Sequence, residues 1–151
     1  MALLLAFLIS SFPSTSMTSW MRLESFHLGI GMTRDEMVKA IAPWNPKYGR
    51  DKNEIVIDYA EDKALTLELK NDRLRSVRFE LFAFLPQIRK AFDEQKTHLR
   101  EARGAPRKAT SAVLIYDNAL PNLMVVVTDD PKSENGKKGL GVLAVRYYDP
   151  R

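Results

Sequence analysis

The sequence predicts an α+β fold: a tandem repeat of a helix followed by three antiparallel strands, with the helices packed on one face of an antiparallel sheet. Three observations lead there. The run Phe26–Ala42, FHLGIGMTRDEMVKAIA, joins helix-start chemistry to apolar residues at helical spacing. Three segments of strand-like alternation follow it. The same order, a helix and then three apolar segments, recurs between Leu85 and Tyr148. The repeats lie at about residues 24–82 and 84–149 of one domain, residues 17–151. A chain of 151 residues is long enough to bury one core.

Each element has its own warrant. Thr33 sits at an N-cap position and Glu36 follows three residues later, a capping box in which each side chain satisfies the other residue's amide. Asp35 and Glu36 place negative charge where the helix dipole favours it. Met37, Val38, Ile41 and Ala42 recur at helical spacing, and Pro43 ends the run. Gly29 and Gly31 before the cap suggest a close backbone approach. The polar segment after Pro43 reads as a loop.

Strands are expected from Glu54 to Tyr59, through Leu65, Leu67 and Leu69, and through Val77, Phe79 and Leu81. Phase constrains the turn between the last two. A regular two-residue loop at Asn71-Asp72 would put Val77 and Phe79 on the wet face. Pairing Leu67 with Val77 and Leu65 with Phe79 instead requires a three-residue turn or a bulge nearby. Leu85–Arg103 is the second helix, with Ile88, Phe92, Leu99 and Ala102 near one face and Gly104 as its stop. Strands are expected over Ala112–Tyr116, Leu123–Thr128 and Leu140–Tyr148.

The first twelve residues, MALLLAFLISSF, are apolar and uncharged, too short to span a bilayer. With the small residues that follow, they read as a signal peptide over residues 1–16, cleaved after Ser16; the alternative is an ordered helix packed on the domain. The expected location is therefore periplasmic or secreted, in a bacterial envelope. The absence of cysteine removes disulfides, a thiolate nucleophile and Cys-bound metal from consideration. The +4 net charge is concentrated. Between Pro86 and Lys108 seven bases (Arg89, Lys90, Lys96, Arg100, Arg103, Arg107, Lys108) face three acids (Asp93, Glu94, Glu101), a difference of +4.

GMTRDEMVKAI and LELKNDRLRSVRF together resemble the repeat shared by the SmpA/OmlA outer-membrane-assembly lipoproteins and the β-lactamase-inhibitor-protein family. Gly31, Met32 and Thr33 match its helix opening, Asn71–Leu74 its turn with Asp72 where Gly is usual, and Gly104-Ala105-Pro106 the segment after its helix. The chain lacks the lipobox cysteine of the first group and the cysteine pairs of the second. The resemblance implies a helix-plus-sheet repeat working through protein–protein contact.

Reactive equipment is sparse. The histidines are His27 and His98, and neither Gly-x-Ser-x-Gly nor His-Glu-x-x-His occurs. Glu94 precedes His98 by four residues, an ordinary helical surface pair. The loop Asp129–Gly136 has oxygen ligands, but its spacing does not suit calcium, and Lys132, Lys137 and Lys138 oppose a cation. Two binding surfaces are expected. One is the basic helix face Arg89, Lys96, Arg100 and Arg103, suited to an acidic protein surface or an anionic membrane; its plainer reading is a solvated face. The other is an aromatic group, Trp44, Tyr48, Tyr59, Tyr147 and Tyr148, read equally well as core. The expectation is a non-enzymatic binding module of assembly or inhibitor type, with a protein partner and no cofactor, metal or nucleic acid. The alternative is a small ligand-binding protein or hydrolase using His27 or His98.

Overall fold

The computed structural model describes residues 21–129 and 132–151; the expected signal segment lies outside them. In chain order the elements are α1 (Arg34–Ile41), β1 (Lys47–Tyr48), β2 (Glu54–Ala60), β3 (Lys63–Lys70), β4 (Arg73–Phe84), α2 (Leu85–Arg103), β5 (Lys108–Ala109), β6 (Val113–Tyr116), β7 (Asn122–Thr128), α3 (Glu134–Lys137) and β8 (Leu140–Tyr148). All eight strands join one antiparallel sheet in the order β1-β2-β3-β4-β8-β7-β6-β5.

This corrects the expected tandem of helix plus three strands. β4 and β8 pair over nine register positions, from Ser76↔Tyr148 to Phe84↔Leu140, so the two halves of the chain form one continuous sheet. β1 lies in the segment read as a loop, and β5 lies between the second helix and the next expected strand, where no element is expected. Two residues show no periodicity, and what makes these strands is pairing with β2 and β6. The helices are also unequal, eight residues against nineteen.

Packing explains why α1 forms. Its capping box is present: Glu36 N donates to Thr33 Oγ1 at 3.3 Å, and Thr33 N to Glu36 Oε2 at 2.8 Å. Hydrogen bonds to the carboxylate from the Thr33 amide and then the Thr33 side chain hold the Glu36 carboxyl below its usual range. Eight residues are nevertheless fewer than the ~12–15 an isolated helix needs, and a cap contributes only about 1 kcal/mol. Met37 and Ile41 are both 0% exposed; at roughly 1.5–3 kcal/mol for each buried side chain, packing is the larger effect. The chain ahead of the helix runs against the β3–β4 hairpin. Gly31, at φ +93°, donates its N–H to Leu74 O at 2.7 Å. Arg34 then reaches Asp72, the Lys52 carbonyl and Asn53.

The hairpin resolves the phase question by a bulge. Asn71 and Asp72 have φ of 54° and 55°, the doubly left-handed conformation of a tight two-residue turn. Lys70↔Arg73 and Leu69↔Leu74 pair across it, and the ladder resumes at Glu68↔Ser76, which leaves Arg75 as the extra residue. Leu67↔Val77 and Leu65↔Phe79 then face the core.

α2 covers one sheet face with Ile88, Ala91, Phe92, Gln95 and Leu99 buried; Ala102, expected among them, is exposed. Packing is tight at Gly141, where a Cβ would stand 3.2 Å from Leu85 Cδ1 and 3.3 Å from Thr128 O. The core also takes Met21, Leu23, Phe26 and Leu28, from a segment with no clear periodicity.

At the chain end, the Asp149 carboxylate accepts from Arg151 Nη2 at 2.9 Å and Arg75 Nη1 at 3.0 Å. Hydrogen bonds from Arg151, then the charges of Arg151 and Arg75, hold its pKa well below the carboxylate range. A depressed folded-state pKa contributes stability above the unfolded value of about 4, lost as pH falls toward the folded one. Asp149→Asn should therefore flatten the acid limb of a melting-temperature-against-pH curve and leave its slope above pH 6 unchanged.

Candidate binding surfaces

The structure disperses the aromatic group. Trp44, 40% exposed, ends a 3₁₀ turn after α1 and meets Phe26 with ring centroids 5.0 Å apart. Tyr59 on β2 packs edge-on against Phe26 at 5.0 Å and Trp44 at 6.4 Å. Ser25, Phe26, Trp44, Tyr59 and Ala60 line a pocket of about 320 Å³. The Tyr59 hydroxyl is buried with no hydrogen-bond partner among the described residues, and burial pushes its pKa up. Tyr147 belongs to the core layer: its ring meets Phe79 at 6.1 Å and its hydroxyl donates to Met21 O at 3.1 Å. Burial raises it to about 12. Tyr48 is exposed on edge strand β1, and Tyr148 sits on the opposite sheet face beneath the Arg146 guanidinium, 4.9 Å from its ring centroid.

The basic stripe divides as well. Arg89 Nη1 donates to Ser111 O and Arg103 Nη1 to Pro121 O, both at 3.0 Å, so these two fasten α2 to neighbouring loops. Lys96 and Arg100 are exposed and have no hydrogen-bond or ion-pair partner among the described residues. With Ala105, Pro106, Ala109 and Tyr116 they line a pocket of about 250 Å³.

Among the described residues, no Ser hydroxyl or carboxylate is hydrogen-bonded to either histidine ring. His27 is exposed at the end of a 3₁₀ turn, at φ 56°. Arg22 Nη2 lies 2.7 Å from His98 Nε2; a guanidinium has no lone pair, so the imidazole nitrogen accepts. This contact takes the place of the expected Glu94 pair. Among the described residues, no three or more His, Asp or Glu side chains gather to hold a metal, and no helix is long and apolar enough to cross a membrane. Asp129–Gly136, read as a loop, runs into the short helix α3, which spans Glu134–Lys137.

One further surface was not singled out in the sequence. Residues alternating with the core positions form the other face of the sheet; the buried residues of α1 and α2 join the core on the opposite face. Register places Val56, Thr66, Arg78, Arg146, Met124 and Ile115 in one row. A second row holds Asp58, Ala64, Glu80, Ala144, Val126 and Val113. Phe82 and Val142 pair in a third, and Tyr148 lies between Ser76 and Asn122 in a fourth. Charges cluster at the centre: Arg78 Nε reaches Glu80 at 3.1 Å and Arg146 Nη2 reaches Glu68 at 3.8 Å. Around β6, β7 and the start of β8 the face turns apolar, with Phe82 37% exposed. The period-2 alternation that located the strands carries this information, read on its wet phase.

Together these features define a small, sheet-dominated α+β domain whose described residues leave one sheet face helix-covered and the other open. No family model, curated protein or solved structure matches the chain.

Proposed function

We propose that the protein is a non-catalytic binding module, exported to the bacterial envelope or secreted, that engages a protein partner through the open face of its sheet. The supporting observation is the composition of that face. It combines aromatic, Met and Arg side chains with a β-branched apolar patch, the residue types that anchor interfaces. Its dimensions suit the role. Six strands exceed two residues; at ~4.8 Å between strands and ~3.3 Å per residue over about six residues, the face spans roughly 600 Å². A standard interface buries about 800 Å² per partner. The mixed central charges favour discrimination between partners over bulk attraction. Export rests on the apolar N-terminal run, and assembly or inhibition of a partner is the role that the resemblance to the SmpA/OmlA and inhibitor repeat favours.

The test is capture from envelope extract with the full-length chain. A Met124→Lys/Tyr148→Ala variant with an unchanged melt should bind the captured partner at least tenfold more weakly. A Lys96→Glu/Arg100→Glu variant should bind as the original does. Equal binding by the original and the open-face variant would contradict the proposal.

A further inference from the structure

We propose that the pocket between the C-terminal half of α2 and β5 is a binding site for a carboxylate carried on a small apolar body. Lys96 and Arg100 are one helical turn apart and both line it. Three neighbouring arginines are engaged: Arg89 and Arg103 by loop carbonyls, and Arg107 by Asp117. The two cations on the pocket are left with their donors free among the described residues. The remaining lining is Ala105, Pro106, Ala109 and Tyr116. Tyr116 is 1% exposed, so the accessible apolar lining is that of Ala105, Pro106 and Ala109.

This pairing of features selects the ligand class. Two cations attract any anion, but a strongly hydrated phosphate gains nothing from a floor of Ala and Pro side chains. An aryl or alkyl acid places its apolar body on that floor and its two oxygens toward the guanidinium and ammonium. A volume of about 250 Å³ admits a group the size of one aromatic side chain. Two sources present this chemistry, a free small acid and the C-terminal residue of a peptide. Tyr116 belongs to the helix-covered face, so the site is separate from the open face and stands or falls without it.

The experiment titrates the isotope-labelled full-length chain with 3-phenylpropionate, its neutral amide, and a blocked tripeptide ending in Phe with a free carboxylate. Amide shifts are followed at Ala105, Ala109 and Tyr116. The acid or the peptide should shift these residues, the amide should not, and Lys96→Gln/Arg100→Gln should weaken binding at least tenfold with an unchanged melt. Single Lys96→Gln and Arg100→Gln variants guard against misfolding of the double variant and should each weaken the acid severalfold. Tighter binding of the peptide than of the acid assigns the site to chain ends, and the reverse assigns it to free acids. Equal binding of acid and amide, no binding at millimolar concentration, or acid binding unaffected by the loss of both cations overturns the proposal.

Discussion

Replacing Phe79 by Ala should remove about 3–5 kcal/mol of stability, the cost of deleting a fully buried aromatic ring. Phe79 is 0% exposed on β4 and meets Phe26 at 5.6 Å and Tyr147 at 6.1 Å, so the cavity would open where the N-terminal segment, β4 and β8 converge. Domains of this size have only about 5–15 kcal/mol in total, and the variant should unfold at a much lower urea concentration. Phe82, three residues on along the same strand, points to the open face and is 37% exposed. Phe82→Ala should cost under about 1 kcal/mol. Comparable losses at the two positions would mean that the face described as open is covered.

The second large effect concerns register. Arg75 is the unpaired residue of the β3–β4 bulge, and the pairs on either side, Leu69↔Leu74 and Glu68↔Ser76, would join directly if it were deleted. Deletion of Arg75 should therefore keep every core residue inward and cost about 1–2 kcal/mol, mainly the hydrogen bond to Asp149. One Ala inserted between Val77 and Arg78 has the opposite consequence. It reverses the facing of Phe79 and Leu81 relative to β3, and at roughly 1.5–3 kcal/mol per side chain, added to the mispairing with β8, the folded state should no longer be populated. Urea unfolding monitored by tryptophan fluorescence distinguishes the outcomes. An unfolded Arg75 deletion would show that the bulge fixes more than phase.

Local chemistry was legible where it is dictated by neighbours in sequence. The capping box at Thr33 and Glu36, the stop at Gly104 and the alternation Leu65, Leu67, Leu69 placed α1, α2 and most strands within a residue or two. Phase in the β3–β4 hairpin demanded a third turn residue or a bulge, and Arg75 supplies the bulge. What escaped depends on partners distant in sequence. β1 and β5 exist because β2 and β6 lie beside them. The fusion of the halves through β4 and β8 has no local signature, so equal numbers of apolar segments read as two repeats. The sites show the same division. Helical spacing put Arg89, Lys96, Arg100 and Arg103 in one stripe, but only the fold brings the Ser111 and Pro121 carbonyls to Arg89 and Arg103. Aromatic content says nothing about which sheet face a ring occupies until strand phase is applied. Tyr147 and Tyr148 are adjacent in sequence and lie on opposite faces.

The most direct measurement of the central claim is hydroxyl-radical footprinting of the full-length chain, free and bound to its captured partner. Sulfur and aromatic side chains react fastest, and they mark the faces separately: Met124, Tyr148 and Phe82 on the open face, Trp44 and Tyr48 away from it. Binding through the open sheet predicts protection at Met124, Tyr148 and Phe82, with Trp44 and Tyr48 unchanged. Protection confined to Trp44 and Tyr48, with Met124 still oxidised at its free rate, would contradict the account.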